Sequence, residues 1–382
     1  MDPFTDDDDL AVADSVRRFA DEVIAPRAAE IDDSALFAGV HLPALAEVGL
    51  MGMNLPERWG GAGVSSVALY LAVEALAAAC ASTTSMVTAH FLATDAILIG
   101  GDDTQRARWL VPAASGKTLG AFALTEPNAG SNPADMTTRA SALGDPLGDR
   151  YLLNGVKHFI SNAAHADFIV VFAITDASAR ARGISAFVVD RNAKGVSMGP
   201  AEPTMGLKGG HVFEVRFDGC EVAADCRLGA EGSGFRTAMK VLDNGRIEIA
   251  ATCTGIARAA LDMALAWAKT REVDGEPIAR FQGLQWMFAD MATELDAARL
   301  LGLRAARLRA DGARFSHEAA MAKLFAAEMA GRVTDNALQI HGGYGYSRQM
   351  PLERLVRDVR VMRIYEGSSE IQRNIIARTL LH

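Results

Sequence analysis

Leu119-Gly120-Ala121-Phe122-Ala123-Leu124-Thr125-Glu126-Pro127-Asn128-Ala129-Gly130-Ser131 is where the character of this 382-residue chain changes. Before it, the sequence reads as helix. The stretch 14–29 carries Val16, Phe19, Ala20, Val23 and Ile24 on one face, and 42–50, 66–81, 82–99 and 104–114 follow, broken by Gly49, Gly100 and Gly116. From Leu119 onward short strand-like runs take over, at 119–124, 137–140, 151–153, 168–174, 184–189 and 213–217. Asn154-Gly155 reads as a hairpin turn and Asp218-Gly219 as another. Many short strands joined by turns predict an antiparallel sandwich or barrel. From Gly234 long helices return, at 246–270, around Leu284, Met287, Phe288, Met291, Leu295 and Ala298, and at 316–340 before Gly342-Gly343. Helices of this kind pack as a bundle. The order helices, strands, helices has no βαβ alternation, which argues against a Rossmann nucleotide domain. It predicts an α+β, mostly α chain in three parts, 1–118, 119–230 and 231–382.

The bulk numbers narrow the function. Half the residues are hydrophobic and 22% are charged, which is a globular composition. The formal charge of −9 disfavours nucleic acid or an anionic membrane as partner. Cys80, Cys220, Cys226 and Cys253 form no Cys-x-x-Cys pair and no cluster with His, so neither a metal site nor a disulfide framework is expected. The opening residues, with aspartates at 6–9, are neither a signal nor a transit peptide, and no apolar run approaches bilayer length. A cytoplasmic enzyme is expected.

Three segments carry candidate chemistry. Ile364-Tyr365-Glu366-Gly367-Ser368-Ser369-Glu370-Ile371-Gln372-Arg373-Asn374 places Glu366 on a short link before a helix. Ser369 and Gln372 fit a capping box at the start of that helix, and Ile371, Ile375 and Ile376 form its apolar stripe. Gly367 permits close approach of backbone or ligand. A carboxylate held on such a loop suits a general base; an ordinary surface glutamate is the alternative. The loop 122–131 is dense in hydroxyls and flexible backbone, able to offer donors to a polar ring or a phosphate; an ordinary polar turn is the alternative. Asp243-Asn244-Gly245-Arg246 reads as a helix start, where the dipole disfavours Arg246 and so suggests an anionic ligand or a carboxylate partner. His90 and His341 read as packing residues.

Taken together, these segments resemble the acyl-CoA dehydrogenases, over nearly the whole chain. The resemblance rests on Thr125-Glu126-Pro127-Asn128-Ala129-Gly130-Ser131, on Asn154-Gly155-Val156-Lys157-His158-Phe159-Ile160-Ser161-Asn162 and on the Tyr365-Glu366-Gly367 segment. It implies an N-terminal helical domain, a middle β domain and a C-terminal four-helix bundle that bind FAD. Glu366 is then the catalytic base, with Gly367 beside the substrate. Phe122, Leu124, Thr125 and Ser131 line the flavin, and Ser131 also touches the ligand. Phe159, Ile160 and Ser161 form a second flavin segment, with Phe159 where the family often has Trp. Asp243 and Arg246 face the CoA side, and Gly245 stands where members with the base on this helix carry Glu. Ser368, Ser369 and Glu370 also belong to the cofactor set. Arg271, Gln282, Gln339, Ile340, Gly342 and Gly343 resemble segments that serve the FAD of a neighbouring subunit, Arg271 through its fork of donors.

This chain departs from the family pattern in two places. Asp274 replaces the usual Phe before Gly, and Asn132-Pro133 follows the Gly-Ser where Asp is usual. The implied activity is dehydrogenation of an acyl-CoA to a trans-2-enoyl-CoA by a homotetramer, with an electron-transfer flavoprotein as acceptor. Ser82-Thr83-Thr84-Ser85 loosely resembles the short branched-chain members and favours short or branched acyl groups. Alternatives on the same scaffold are tailoring of a carrier-protein thioester, flavin hydroxylation and a nucleic-acid-binding relative, the last disfavoured by charge.

Overall fold

The computed structural model describes residues 4–144 and 150–381. Helix α1 (Asp7–Phe19) starts before the periodic stretch suggests, because Asp6 and Asp9 form a reciprocal capping box. A π turn and a 3-10 turn around Pro26 lead into α2 (Ala28–Ser34). Then come α3 (Leu42–Glu47), α4 (Ser66–Ala79), α5 (Ala81–Gly100) and α6 (Asp103–Ala114).

The middle region holds β1 (Gly120–Ala123), β2 (Arg139–Leu143), β3 (Arg150–Ser161), β4 (Phe168–Ile174), β5 (Ile184–Asp190), β6 (Val196–Ala201), β7 (Val212–Ala223) and β8 (Arg227–Leu228). They form one sheet in the order β6-β7-β3-β2-β4-β5-β8, with β1 also paired to β4. The sheet is not wholly antiparallel as the strand pattern suggests. β1 runs parallel to β4, and β2 meets β4 in parallel at Arg139 and Ile174. A parallel neighbour needs a crossover, and the intervening β2–β3 segment supplies it.

Two turn signals also resolve differently. Asn154-Gly155 lies inside continuous β3, and Asp218-Gly219 inside continuous β7. The two dipeptides face each other: the Gly219 N–H donates to Asn154 Oδ1 at 2.8 Å, and the register slips between Leu153 and Gly155. Gly155 (φ 148°) runs so close to Thr138 that a Cβ would meet its Oγ1 at 2.4 Å. The glycine here makes a bulge that admits a neighbouring strand, not a chain reversal.

The uninterrupted apolar run of β4 follows from burial on both faces. Ile169 and Val171 pack inside the folded sheet with Leu153, Phe187 and Val215, while Phe168, Val170 and Phe172 face helical residues such as Ile97, Leu110 and Val241.

The C-terminal part is built on α7 (Gly234–Thr270), which is long, continuous and packed against α4 and α5. The hairpin of β9 (Glu272–Val273) and β10 (Glu276–Pro277) precedes α8 (Gln282–Ala310) and α9 (Ser316–His341). Short α10 (Gly343–Tyr346) and α11 (Leu352–Val359) lead to α12 (Ser369–Leu381). A single apolar cluster runs from Ala13 through Leu71, Ile256, Leu303 and Val333 to Met362, joining the first and last thirds of the chain. Contrary to the sequence expectation, α7 is long and apolar enough to cross a bilayer, with mean hydropathy 1.3, but 67% of that window is buried by neighbouring elements.

Candidate active site

Glu366 sits in the left-handed region (φ 52°), followed by Gly367 (φ 90°). Such a conformation costs a non-glycine residue about 1–3 kcal/mol and must be held by its surroundings. Here the holding bonds come from two helices. Lys323 Nζ of α9 donates to Gly367 O at 2.7 Å, and Gln372 Nε2 of α12 donates to Glu366 O at 3.2 Å and Gly367 O at 2.9 Å. The predicted Ser369–Gln372 capping box is therefore not formed. Ser368 Oγ accepts from Ile371 N–H at the helix start, Ser369 Oγ donates to Glu328 Oε1 at 2.7 Å, and Gln372 is used by the loop. Gly367 admits Gln372, whose Nε2 lies 2.5 Å from where a Cβ would stand. Glu370 is exposed.

The carboxyl of Glu366 turns inward. Its Oε2 is buried without a hydrogen-bond partner. It occupies the space over Gly245 of α7, which Leu92 of α5 also borders. Burial pushes Glu366 up to about 7, against the opposing pull of the Lys323 and Arg246 charges. A carboxyl in this range accepts a proton at neutral pH and is not stabilised by a bond that must first be broken.

Asp243 to Arg246 do not open a helix; they lie well inside α7, which begins at Gly234. The dipole argument for Arg246 thus fails, and the cause of its placement is a carboxylate. Arg246 is buried and paired with Asp243, whose other oxygen accepts from Ser316 Oγ at 2.5 Å. Its Nε is buried and unpartnered.

Sequence reading missed the polar residues around this point. Asp95 of α5 accepts from Asn54 (2.7 Å) and Asn244 (2.6 Å) and lies 3.8 Å from Arg309, and nearby Glu248 is 2% exposed with Oε2 unpartnered. Burial, then the Asp95 charge, raises Glu248 well above the carboxylate range. The available signal was charged residues at core spacing, such as Lys323 among Ala319, Ala320, Ala322, Ala326 and Ala327.

The two loops expected to line a flavin are tied together in the β region. The His158 N–H donates to Thr125 O at 2.9 Å. Beneath them Lys157 Nζ donates to Glu126 Oε1 at 2.9 Å and to Leu124 O at 3.1 Å, in a fully buried pair. Glu126 also accepts from the Thr137 and Thr138 N–H groups. Burial alone would raise Glu126, but the Lys157 charge and the threonine bonds bring it down to about 2. Leu124 and Ile160 are buried, Phe122, Thr125 and Ser161 are half-buried, and Ser131 is exposed. Phe159 is 60% exposed, at φ 55°, and so presents its ring outward from a braced strand end. An outward aromatic beside half-buried hydroxyls fits a planar, polar ring system. The loop exit closes on itself through Asn132 Nδ2 to Asp135 Oδ2 at 2.7 Å.

A concavity of about 610 Å³ lies at the far end of α9. Trp267 stacks on His341 (5.0 Å between ring centroids), and Arg271 lies over Tyr344. Gly342 and Gly343 stand with nothing within 4 Å of a Cβ position. Aromatic walls, open glycine backbone and an exposed Arg fit an adenine and a diphosphate. Arg271, Gln282 and Gln339 are exposed, whereas Ile340 is buried. This end of α9 is about 27 Å along the helix from Lys323, at 1.5 Å per residue. One chain therefore does not bring these residues to Glu366. His341 donates to Ala337 O at 2.8 Å, and His90 Nδ1 accepts from the Gly120 N–H at 2.9 Å; both have structural partners. Asp274 (φ 55°) and Gly275 (φ 77°) form the two-residue turn between β9 and β10, a conformation that favours Asp-Gly.

Family models match the chain in order: acyl-CoA dehydrogenase N-terminal domain over 6–117, middle domain over 121–220 and C-terminal domain over 232–381. The chain is 42% identical to acryloyl-CoA reductase (NADH) of Anaerotignum propionicum, over 96% of this chain and 92% of the relative. Its fold matches butyryl-CoA dehydrogenase of Megasphaera elsdenii with a TM-score of 0.96 at 37% identity, over 100% of both chains. It also matches glutaryl-CoA dehydrogenase of Mycobacterium smegmatis, solved in complex with FADH2, with a TM-score of 0.93 at 28% identity over 100% and 96% of the two chains. With three consecutive domains matched and whole-chain superposition, this chain belongs to the acyl-CoA dehydrogenase family, whose members are FAD-dependent oxidoreductases.

Proposed function

We propose that this enzyme removes the elements of hydrogen from the α and β carbons of a short-chain acyl-CoA, with Glu366 as base. The observation that carries this is the unpartnered, buried carboxyl over Gly245, whose burial raises its proton affinity to the range a general base needs. Glu366 takes the α-proton onto its carboxylate. The N–H of the same residue donates to the thioester oxygen and stabilises the charge that develops there. FAD, when bound, supplies the acceptor for the β-hydride. The loop from Phe122 to Ser131 and the segment Phe159 to Ser161 orient the ring, with Ser131 reaching the ligand. Arg246 and Asp243 hold the thioester side, beside Gly367.

Short acyl chains are favoured by the likeness to butyryl-CoA dehydrogenase. A homotetramer is favoured by the separation along α9, because Arg271, Gln282 and the Gln339–Gly343 segment then serve a neighbour's FAD. An electron-transfer flavoprotein as acceptor follows from the same family reading. The direct test is anaerobic mixing of the yellow holoenzyme with butyryl-CoA. Bleaching of the flavin band is expected, and failure with every short acyl-CoA removes the proposal. Small-angle scattering of the holoenzyme is expected to give four chains; a fully flavinated monomer removes the intersubunit part.

A further inference from the structure

Lys323 stands on the apolar face of α9 with no exposed surface. An ammonium carries three donors and is costly to bury. Its hydrogen bond goes to Gly367 O at 2.7 Å, the carbonyl that follows the base.

We propose that Lys323 is the positioning residue for Glu366: it fixes the peptide that follows the base and supplies the positive charge that keeps the carboxylate available for proton abstraction. The inference rests on Glu366 being the base. Three observations carry it. First, the left-handed backbone at Glu366 needs outside support, and Lys323 and Gln372 provide it jointly at one carbonyl.

Second, the other charges near this point have partners of their own, and Arg246, although it also pulls Glu366 downward, does so less than Lys323. Arg246 of α7 is paired with Asp243, and Glu328 of α9 with Arg363 at 3.4 Å and with Ser369. Lys323 meets the neutral carbonyl of the residue after Glu366, and its charge pulls the Glu366 carboxyl downward against burial. Third, the remaining groups facing Glu366 and Lys323 oppose its ionisation or leave it unaided. Glu248 of α7 adds a like charge if it ionises, half-buried Tyr365 and buried Cys253 are acids held up by desolvation, and Glu370 is exposed. Burial lowers Lys323 itself to about 8, so the pair operates with Lys323 charged while Glu366 loses its proton near 7.

The test is the pH profile of anaerobic flavin reduction by butyryl-CoA in wild type, Lys323→Met, Lys323→Arg and Glu366→Gln. Without the ammonium the acid limb of Lys323→Met is expected to move to higher pH by about one unit. Below the limb that is roughly a tenfold loss of rate, recovered at higher pH. Lys323→Arg keeps the charge and is expected to keep the limb, with a lower plateau from the altered fit. A uniform loss at every pH in Lys323→Met, with the limb in place, overturns the inference and leaves Lys323 a packing residue. If Lys323→Met does not fold, Lys323→Gln serves as the neutral variant, and a limb displaced equally in Lys323→Arg also overturns it. Glu366→Gln separates the two readings: if it bleaches like wild type, the assignment of the base fails, whereas an unmoved limb alone sinks only the role of Lys323.

Discussion

Glu366 Oε2 lies 2.2 Å from the point where a Cβ at position 245 would stand. The carboxyl from the C-terminal loop and the glycine of α7 are thus two halves of one space. Gly245→Ala is expected to displace the carboxyl, since the added Cβ would also crowd Leu92 Cδ2, at 2.9 Å from the same point. A misplacement near 1 Å costs about 10²-fold in a positioned reaction. Stopped-flow flavin reduction by butyryl-CoA checks this; α7 is helical at 245, so alanine itself fits the backbone and FAD content should hold.

Glu366→Gln keeps the shape of the site and removes the base. Loss of a general base costs about 10²–10⁴-fold. The loop carbonyls that accept from Lys323 and Gln372 are unchanged, so the variant should remain yellow and bind acyl-CoA while hardly bleaching. No carboxylate stands at position 245 to take over, and near-normal bleaching would remove Glu366 from the mechanism.

Lys157→Met strands the Glu126 carboxylate beneath the two loops proposed to line the flavin. Breaking a buried pair from one side costs about 3–5 kcal/mol. The expected result is a lower melting temperature and faster loss of FAD on dilution, read by flavin fluorescence. The pH dependence has a definite sign. Glu126 has a folded value near 2, below its ordinary 4.5, so its stabilisation is present above 4.5 and fades as pH falls toward 2. The acid limb of the wild-type stability curve should therefore be flattened in Lys157→Met.

Asp274→Asn keeps the turn while removing the charge, unlike Asp274→Phe, which forces an aromatic residue into a left-handed backbone. If position 274 faces the diphosphate of a neighbour's FAD, the Asn variant retains flavin better at low salt, with the gain vanishing at high salt. Equal retention at all ionic strengths places the side chain away from the cofactor.

Much of this was legible from residue patterns. The change of period at Leu119 gave the three-part order, and 168–174 coincides with β4 to the residue. Glu366 could be singled out as a carboxylate before a helix, yet its buried neighbours could not. Asn54 comes from a turn and Asp95, Asn244 and Arg309 from three separate helices, and only tertiary contact makes them a group. Local turn chemistry misled at Asn154-Gly155, because the same glycine that permits a reversal also permits the close approach of Thr138. At Ser369 the capping pattern was outcompeted by Glu328 and by the loop carbonyls, which satisfy buried groups that a helix end would otherwise share with water.

Tyr70 of α4 donates to or accepts from Thr254 of α7 at 3.1 Å, and its ring fills the space left by Gly302 of α8. During synthesis, α4 leaves the ribosome long before either partner exists. Its apolar faces must wait through translation of the entire β region before α7 can cover them. A ribosome stalled after β8 would therefore present a fragment with the α7- and α8-facing side of α4 uncovered, which is expected to be aggregation-prone.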